Sequence, residues 1–214
     1  MNSRIETPIT GWDTVRFGDV GQWHSGGTPS RSNAAFWNGH IPWVSPKDMK
    51  RFRLCDAIEH TTETGAAIGS RIVPPGTVLF VIRGMILART FPVGIATRPV
   101  AFNQDVKAVI CNEETDSEFV GYWLIANEQR ILTLASESTH GTKRFDLADL
   151  TGLLLQRPRL SEQRTIARML TALDALIEKT ETLIAKYQAV KQGVMNDLFT
   201  RGVGTHGRLR PLQP

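Results

Sequence analysis

Between Ile166 and Leu198 the apolar residues fall on three adjacent heptad columns. One reads Ile166, Leu173, Thr180, Tyr187, Val194; the next Leu170, Ile177, Ile184, Lys191, Leu198; the third Met169, Leu176, Leu183, Val190, Asp197. Positions seven apart stack into one stripe on a helix. Arg164, Arg168, Asp174, Glu178, Lys186 and Gln192 supply a solvated opposite face. No proline interrupts the run, and Gly193 is its one weak helix former. The pattern predicts a rod from Ser161 to Phe199, roughly 60 Å long at about 1.5 Å per residue. Ser161 is the expected cap, and Glu162 sits where the helix dipole favours an anion. Arg201-Gly202 marks the stop. A rod longer than its own domain must bury its stripe on another rod. One side of an intramolecular bundle is the ordinary alternative, but no second stretch of matching length exists in the chain. The stripe therefore reads as an intermolecular seam.

Upstream the period shortens. Ile41 to Ser45, Thr77 to Ile82, Ile86 to Phe91, Val93 to Ala96, Val106 to Ile110 and Leu153 to Gln156 read as strands. Val15 to Val20 is a short ordered segment ahead of them. Gly26-Gly27 with Pro29, Asn38-Gly39 and Pro74-Pro-Gly76 mark turns. Asp116 or Ser117 can cap a helix running to about Ala135, with Phe119, Tyr122, Trp123 and Ala126 on its buried side. Tight turns at this spacing predict an α+β domain built on a bent mixed or antiparallel sheet with flanking helices. The chain divides into a domain at 1–156, the helical region at 157–200 and a mobile basic tail at 201–214.

Charge changes the picture only locally. The chain carries a formal net charge of +4. Up to Gln156 there are 15 basic against 16 acidic residues, and from Arg157 onward 10 against 5. The positive balance belongs to the rod and tail, so net charge alone says little about nucleic acid. Lys47, Lys50, Arg51 and Arg53 form a basic run on a loop, either a solvated surface or a phosphate-contacting edge. Ser136 to Arg144 is a polar loop with a basic end. Trp37 and Trp43 are core residues before they are base-stacking platforms.

Catalytic constellations are missing. Gly26-Gly27 beside Thr28 forms either a structural turn or a cradle of backbone N–H groups for a phosphate. No Gly-Lys-Ser/Thr follows, so it is not a nucleotide-hydrolysing loop. The histidines (His24, His40, His60, His140, His206) are scattered, without the i, i+4 pairing of a metal site. Neither a nucleophile elbow nor a Gly-x-Gly-x-x-Gly after a strand is found. A DNA methyltransferase needs a Gly-rich cofactor loop and an Asn/Asp-Pro-Pro-Tyr/Phe motif, and the chain has neither. No enzyme and no cofactor are expected. Cys55 and Cys111 lack ligand spacing and read as reduced thiols. Met1 to Gly11 is too polar for a signal peptide, and no apolar run suits a membrane helix. The cytoplasm is the expected compartment.

Two stretches together resemble one family, the DNA specificity subunits of Type I restriction–modification systems. The first is Gly26-Gly-Thr-Pro-Ser with Phe36-Trp-Asn-Gly-His-Ile-Pro-Trp-Val-Ser-Pro-Lys-Asp48, preceded by Phe17-Gly-Asp19 and followed by Gly76-Thr-Val-Leu and Phe102-Asn-Gln-Asp105. These are similar to that family's target recognition domain. The second is Pro158 through Leu-Ser-Glu-Gln-Arg-Thr-Ile, Leu173-Asp174, Lys191 and Leu198-Phe-Thr-Arg-Gly202, similar to its helical spacer. Arg159 stands where the family often has a second proline. The usual chain of the family has two recognition domains and two spacers, whereas this sequence has one of each.

The resemblance implies a non-catalytic subunit that binds double-stranded DNA. Its rod packs antiparallel on a second copy as a coiled coil and docks methyltransferase subunits; a restriction subunit is an optional further partner. No motif of the family fixes DNA contacts, so candidates rest on chemistry. Lys47, Arg83, Arg89, Lys143 and Arg144 are donors for bases and phosphates, with Gly26, Thr28 and Ser45 as backbone-positioning residues. The expected seam comprises Ile166, Leu170, Leu173, Ile177, Ile184, Tyr187, Val194 and Leu198. Two other readings stand beside it. One is a protein–protein adaptor or regulator that uses only the rod, and the other is a recognition module cut from a fused restriction–methylation enzyme. The base sequence recognised is not legible, because direct readout depends on loop conformation.

Overall fold

In the computed structural model, residues 9–137, 142–204 and 207–211 are described. The chain forms two compact units, Met1–Ala167 and Arg168–Pro214. Among the described residues, four small sheets build the larger unit. A five-stranded sheet runs Gly21–Ser25, Val106–Cys111, Val78–Val81, Val93–Ala96, Arg53–Leu54 across its width. Its members pair antiparallel except Arg53–Leu54, which lies parallel to Val93–Ala96. A four-stranded sheet orders Glu59–Thr61, Trp37–Val44, Val100–Phe102 and Ile72–Val73, again with one parallel pair. Ser136–Glu137, Lys143–Arg144 and Arg83–Gly84 make a three-stranded sheet. Asp13–Arg16 pairs with Leu154–Arg157, which ties the start of the domain to its end.

The α+β class and the mixed pairing agree with the sequence pattern, but the bend is sharper than a single curved sheet. Val78–Val81 belongs to one sheet and Arg83–Gly84 to the next, so the chain changes sheets at Ile82. Both faces of the central strands are covered. Val78, Leu79, Phe80 and Val81 are all buried, as an unbroken β-branched and aromatic run requires. Phe17, Trp23, Phe80, Phe91 and Phe145 meet ring to ring through this core at centroid separations of 4.8 to 5.8 Å. Such pairs add to plain area burial.

Two expected elements differ. Ile86 to Phe91 is no strand: Met85–Ala88 is a 3-10 turn, with Thr90 N donating to Ile86 O at 3.0 Å. Leu87 and Phe91 are buried while Met85 and Ile86 are exposed, so burial along this segment follows helical spacing and does not alternate. The helix expected to reach Ala135 is two pieces, Ser117–Ala126 and Glu128–Leu132. Asn127 divides them, its side-chain amide and its backbone N–H both donating to Trp123 O, at 2.9 and 3.0 Å. Asp116 caps the first piece by accepting from Phe119 N at 3.0 Å, as expected.

The long helix spans Leu160–Arg201. Ser161 lies inside it and is not its cap, because Glu162 N and Gln163 N already donate to Arg159 O. The first turns belong to the larger unit, where Ala167 is buried and Ile166 packs half-buried on the core. Gln163 is fully buried. Its side chain donates to Pro158 O at 2.8 Å and Glu114 O at 3.0 Å and accepts from Asp116 N at 2.8 Å. One amide thus ties the helix start to the loop that caps Ser117–Ala126.

In the second unit the helix stops at Arg201, with Gly202 at φ +66, a conformation in which glycine is unstrained. Where composition predicts a mobile tail, Val203 pairs antiparallel with Leu209 and Arg201 Nε donates to Arg210 O at 2.7 Å. Residues 205–206 and 212–214 of that tail, with His206, lie outside the described residues, as do 1–8 and the loop positions 138–141 with His140.

Candidate nucleic-acid interface

The sequence candidates separate into three places. Arg83, Lys143 and Arg144 come together: Arg144 pairs with Arg83, and Lys143 with Gly84, across the three-stranded sheet. Local sequence does not explain this meeting, but buried anchors do. Phe145, next to Arg144, is buried against Phe91, and its N–H donates to Ile82 O at 3.0 Å. Gly84 has φ +150, in a region open essentially to glycine, and turns the chain into Met85–Ala88. Arg89 closes that turn, its N–H donating to Ile86 O at 2.9 Å. Four cations therefore lie on one small sheet and its turn. Asp105 and Glu137 temper them: Asp105 pairs with Arg83 at 2.6 Å, and Glu137 stands opposite Lys143.

Lys47 lies elsewhere, on the loop that also carries Lys50 and Arg51 and leads into the strand at Arg53. Asp48 shapes this loop. One carboxylate oxygen accepts from the backbone N–H and hydroxyl of Ser45 at 2.8 and 2.7 Å, and the other from Ile58 N at 2.7 Å. Ser45 is thus spent on the loop's own geometry. Lys47, Lys50, Arg51 and Arg53 border a shallow depression of about 330 Å³, and Arg53 pairs with Glu118 at 2.8 Å. A second depression, about 190 Å³, is walled by Met49 to Phe52 on one side and Thr90 to Val93 on the other. The basic loop and the segment just after Arg89 thus share a surface.

The glycine pair has a packing role. A Cβ on Gly26 would lie 2.2 Å from Phe102 O, and one on Gly27 2.4 Å from Gly69 O. Gly27 N–H donates to Phe102 O at 3.0 Å, so it is not free to cradle a phosphate. Thr28 donates its hydroxyl to Gln104 Oε1 at 2.6 Å. Trp43 is buried, and its indole donates to Gly27 O at 2.9 Å. Trp37 is half-buried beneath the Arg31 guanidinium, 3.9 Å from the ring centre, which leaves that face no room for a base. Arg31 also forms a bidentate pair with Glu59. Hydrogen bonding to Arg31 holds the Glu59 carboxyl below its usual range and raises the guanidinium further.

Residue-by-residue candidacy missed the segment that connects these places. In Phe102-Asn-Gln-Asp105, Phe102 is buried in the core and Asn103 Oδ1 accepts from Asp105 N at 3.0 Å. Gln104 holds Thr28, and Asp105 holds Arg83. The available signal was a compact polar triplet directly after a buried apolar strand. Gln163 was missed likewise, although it sits as a polar residue on the apolar face of its helix. Among the described residues, no cluster of three or more His, Cys, Asp or Glu is placed to hold a metal. Cys55 is an exposed free thiol, while burial, then Asp116, pushes the Cys111 thiol up to about 12.

The seam candidates divide as well. In the second unit Leu173, Ile177, Ile184, Tyr187, Val194 and Leu198 are all exposed, from 41% to 65%, and Leu170 is half-buried. Ile166, in the first unit, is half-buried against that unit's core.

The family model for the Type I restriction modification DNA specificity domain matches residues 9–188. The chain belongs to this family. Among curated family members, the specificity subunit of the Escherichia coli Type I restriction enzyme EcoR124I/EcoR124II is 32% identical over 167 residues, covering 77% of this chain and 41% of that subunit. The MjaIX specificity subunit of Methanocaldococcus jannaschii is 31% identical over 200 residues, covering 88% and 43%. The chain thus spans less than half the length of these relatives. The crystal structure of the HsdS subunit from Thermoanaerobacter tengcongensis shares the fold, with a TM-score of 0.62 at 17% identity, over 94% of this chain and 48% of that one. The S subunit from M. genitalium does so at TM-score 0.57 and 16% identity, over 88% and 46%. Among the described residues no helix is long and apolar enough to cross a membrane.

Proposed function

We propose that this chain recognises a specific sequence in double-stranded DNA and directs methyltransferase subunits to it, without catalysing a reaction itself. The observation that carries the reading is the gathering of Arg83, Arg89, Lys143 and Arg144 on one small sheet and its turn, within a domain matched by a DNA-specificity family. Cations on a β-ribbon suit the major groove, whose width admits such an element. Phosphate contacts from Lys143 and the loop at Lys47 fix register, and contacts to base edges confer sequence preference. The domain spans 1–156, the spacer 157–200, and the complex works in the cytoplasm, with a restriction subunit where cleavage accompanies modification.

In this proposal two copies pair through antiparallel rods. The exposed stripe of the second unit is the support, since a row of large apolar side chains on a charged helix calls for a matching row. An isologous pair has two-fold symmetry, and a two-fold protein reads an inverted repeat. The expected target is an interrupted palindrome, methylated on both strands, its gap set by rods of roughly 60 Å at helical rise. The test is to map methylated motifs in a host where this chain is the sole specificity component beside its modification subunit. A palindromic gapped motif is expected. An asymmetric motif overturns the homodimer, and no new motif overturns the recognition role.

A further inference from the structure

We infer that the Met85–Ile86 turn makes the apolar contact with the bases, held at base level by the cations around it. This inference rests on the DNA reading above. Met85 is 74% exposed, the most exposed large hydrophobic side chain among the described residues of the larger unit, and its neighbour Ile86 is exposed too. The same turn does not lack buried positions: Leu87 is 2% exposed and Phe91 3%. The turn is therefore anchored from below by two core residues while it presents two apolar side chains outward.

The surroundings select the occupant. Arg83 precedes the turn, Arg89 ends it, and Lys143 and Arg144 lie on the strand paired beside it. Against these stand Asp105, engaged with Arg83, and Glu137. An apolar tip flanked by net positive charge suits a polyanion with apolar groups recessed between its charges, which describes a duplex groove. The cations neutralise phosphates on the groove walls, and the tip meets either the methyl group of a thymine or a base step that it parts. Gly84 at φ +150 sets the direction of the tip, and Ile82 and Arg83 N–H groups, both donating to Asp105 O, hold the strand below it.

The experiment uses the full chain assembled with its modification subunit and duplexes carrying the mapped motif. Met85→Ala and Met85→Ala/Ile86→Ala should lower the ratio of cognate to non-cognate affinity about tenfold, the scale of losing one base contact, with an unchanged salt dependence. The thermal melt of Met85→Ala should match the parent, because that side chain is 74% exposed. Replacing thymine by deoxyuridine position by position separates the two sources. If a methyl group is contacted, one such replacement weakens the parent and leaves Met85→Ala indifferent. If a step is parted, 2-aminopurine at that step brightens on binding the parent and not the variant. Unchanged discrimination in both variants, with Lys143→Ala/Arg144→Ala weakened on every sequence, overturns the tip contact and leaves DNA reading intact. Full affinity in Lys143→Ala/Arg144→Ala as well overturns DNA reading through this sheet altogether.

Discussion

The two units treat the same kinds of side chain in opposite ways. In Met1–Ala167, Val78 to Val81, Leu124, Leu150 and Leu155 have no exposed surface. In Arg168–Pro214, Leu173, Leu176, Ile177, Leu183, Ile184 and Tyr187 are each about half or more exposed. A leucine loses the same hydration penalty wherever it is buried, on the order of 2 kcal/mol for a full side chain. The first unit realises that gain within one chain. Among the described residues the second leaves its stripe exposed, and in the pairing proposed above its gain comes from association. Stability of the larger unit should therefore be independent of concentration, whereas order along the rod should follow mass action.

Charges in the rod should break this contrast most. Replacing Leu173, Ile177 and Ile184 by Asp puts carboxylates into the proposed seam, and each one left unpaired costs several kcal/mol. Sedimentation should show a monomer whose larger unit keeps its near-ultraviolet signature; a persistent dimer would place the seam elsewhere. Phe80→Ala is the mirror experiment. It empties a fully buried site ringed by Phe17, Trp23 and Phe91 and should cost about 3–5 kcal/mol. The loss should appear in denaturant melts at every protein concentration, and a concentration-dependent loss would deny the larger unit an independent core.

Gln163→Ala probes the boundary between the two regimes. It leaves Asp116 N, Glu114 O and Pro158 O without their partner and should cost about 1–3 kcal/mol. Gln163→Glu retains the acceptor for Asp116 N but turns a buried carboxylate oxygen toward the Pro158 and Glu114 carbonyls, so it should cost at least as much at neutral pH. If Gln163→Ala melts like the parent, the side chain is no pin.

The smallest effect concerns Glu59. Its carboxyl is lowered by the hydrogen bond from Arg31, so the pair's stabilisation is present above the ordinary glutamate range and is lost as pH falls through the lowered value. Nearly half the Glu59 side chain is exposed, which holds the contribution below about 1 kcal/mol after solvent screening. Thermal melts of the parent and Glu59→Gln should differ slightly at neutral pH and converge on acidification. A gap that widens on acidification would reverse the sign.

What local pattern could dictate was legible. The Asp116 cap and the strands at Val78–Val81 and Val93–Ala96 depend on neighbours in sequence, and so does the stop at Gly202; all lie where the residues indicate. Ile86 to Phe91 was misread because a short apolar run carries no period of its own, and burial of Leu87 and Phe91 decided its geometry. The helix after Asp116 breaks at Asn127, where side-chain and backbone N–H groups both cap Trp123 O, and Glu128 just beyond is held by Thr90 and Phe91.

The candidate interface divides the same way. Residue chemistry nominated Arg83, Lys143 and Arg144 separately, but their meeting is a long-range strand pairing fixed by Phe145 and Phe91 in the core. Gly26, Thr28 and Ser45 look permissive in sequence, yet the tertiary structure spends them on contacts with Phe102, Gln104 and Asp48. By itself the sequence determined the α+β class, the long rod and its apolar stripe, since periodicity is a property of adjacent residues. Only the tertiary structure decided which cations share a surface, because that depends on contacts whose partners lie far apart along the chain.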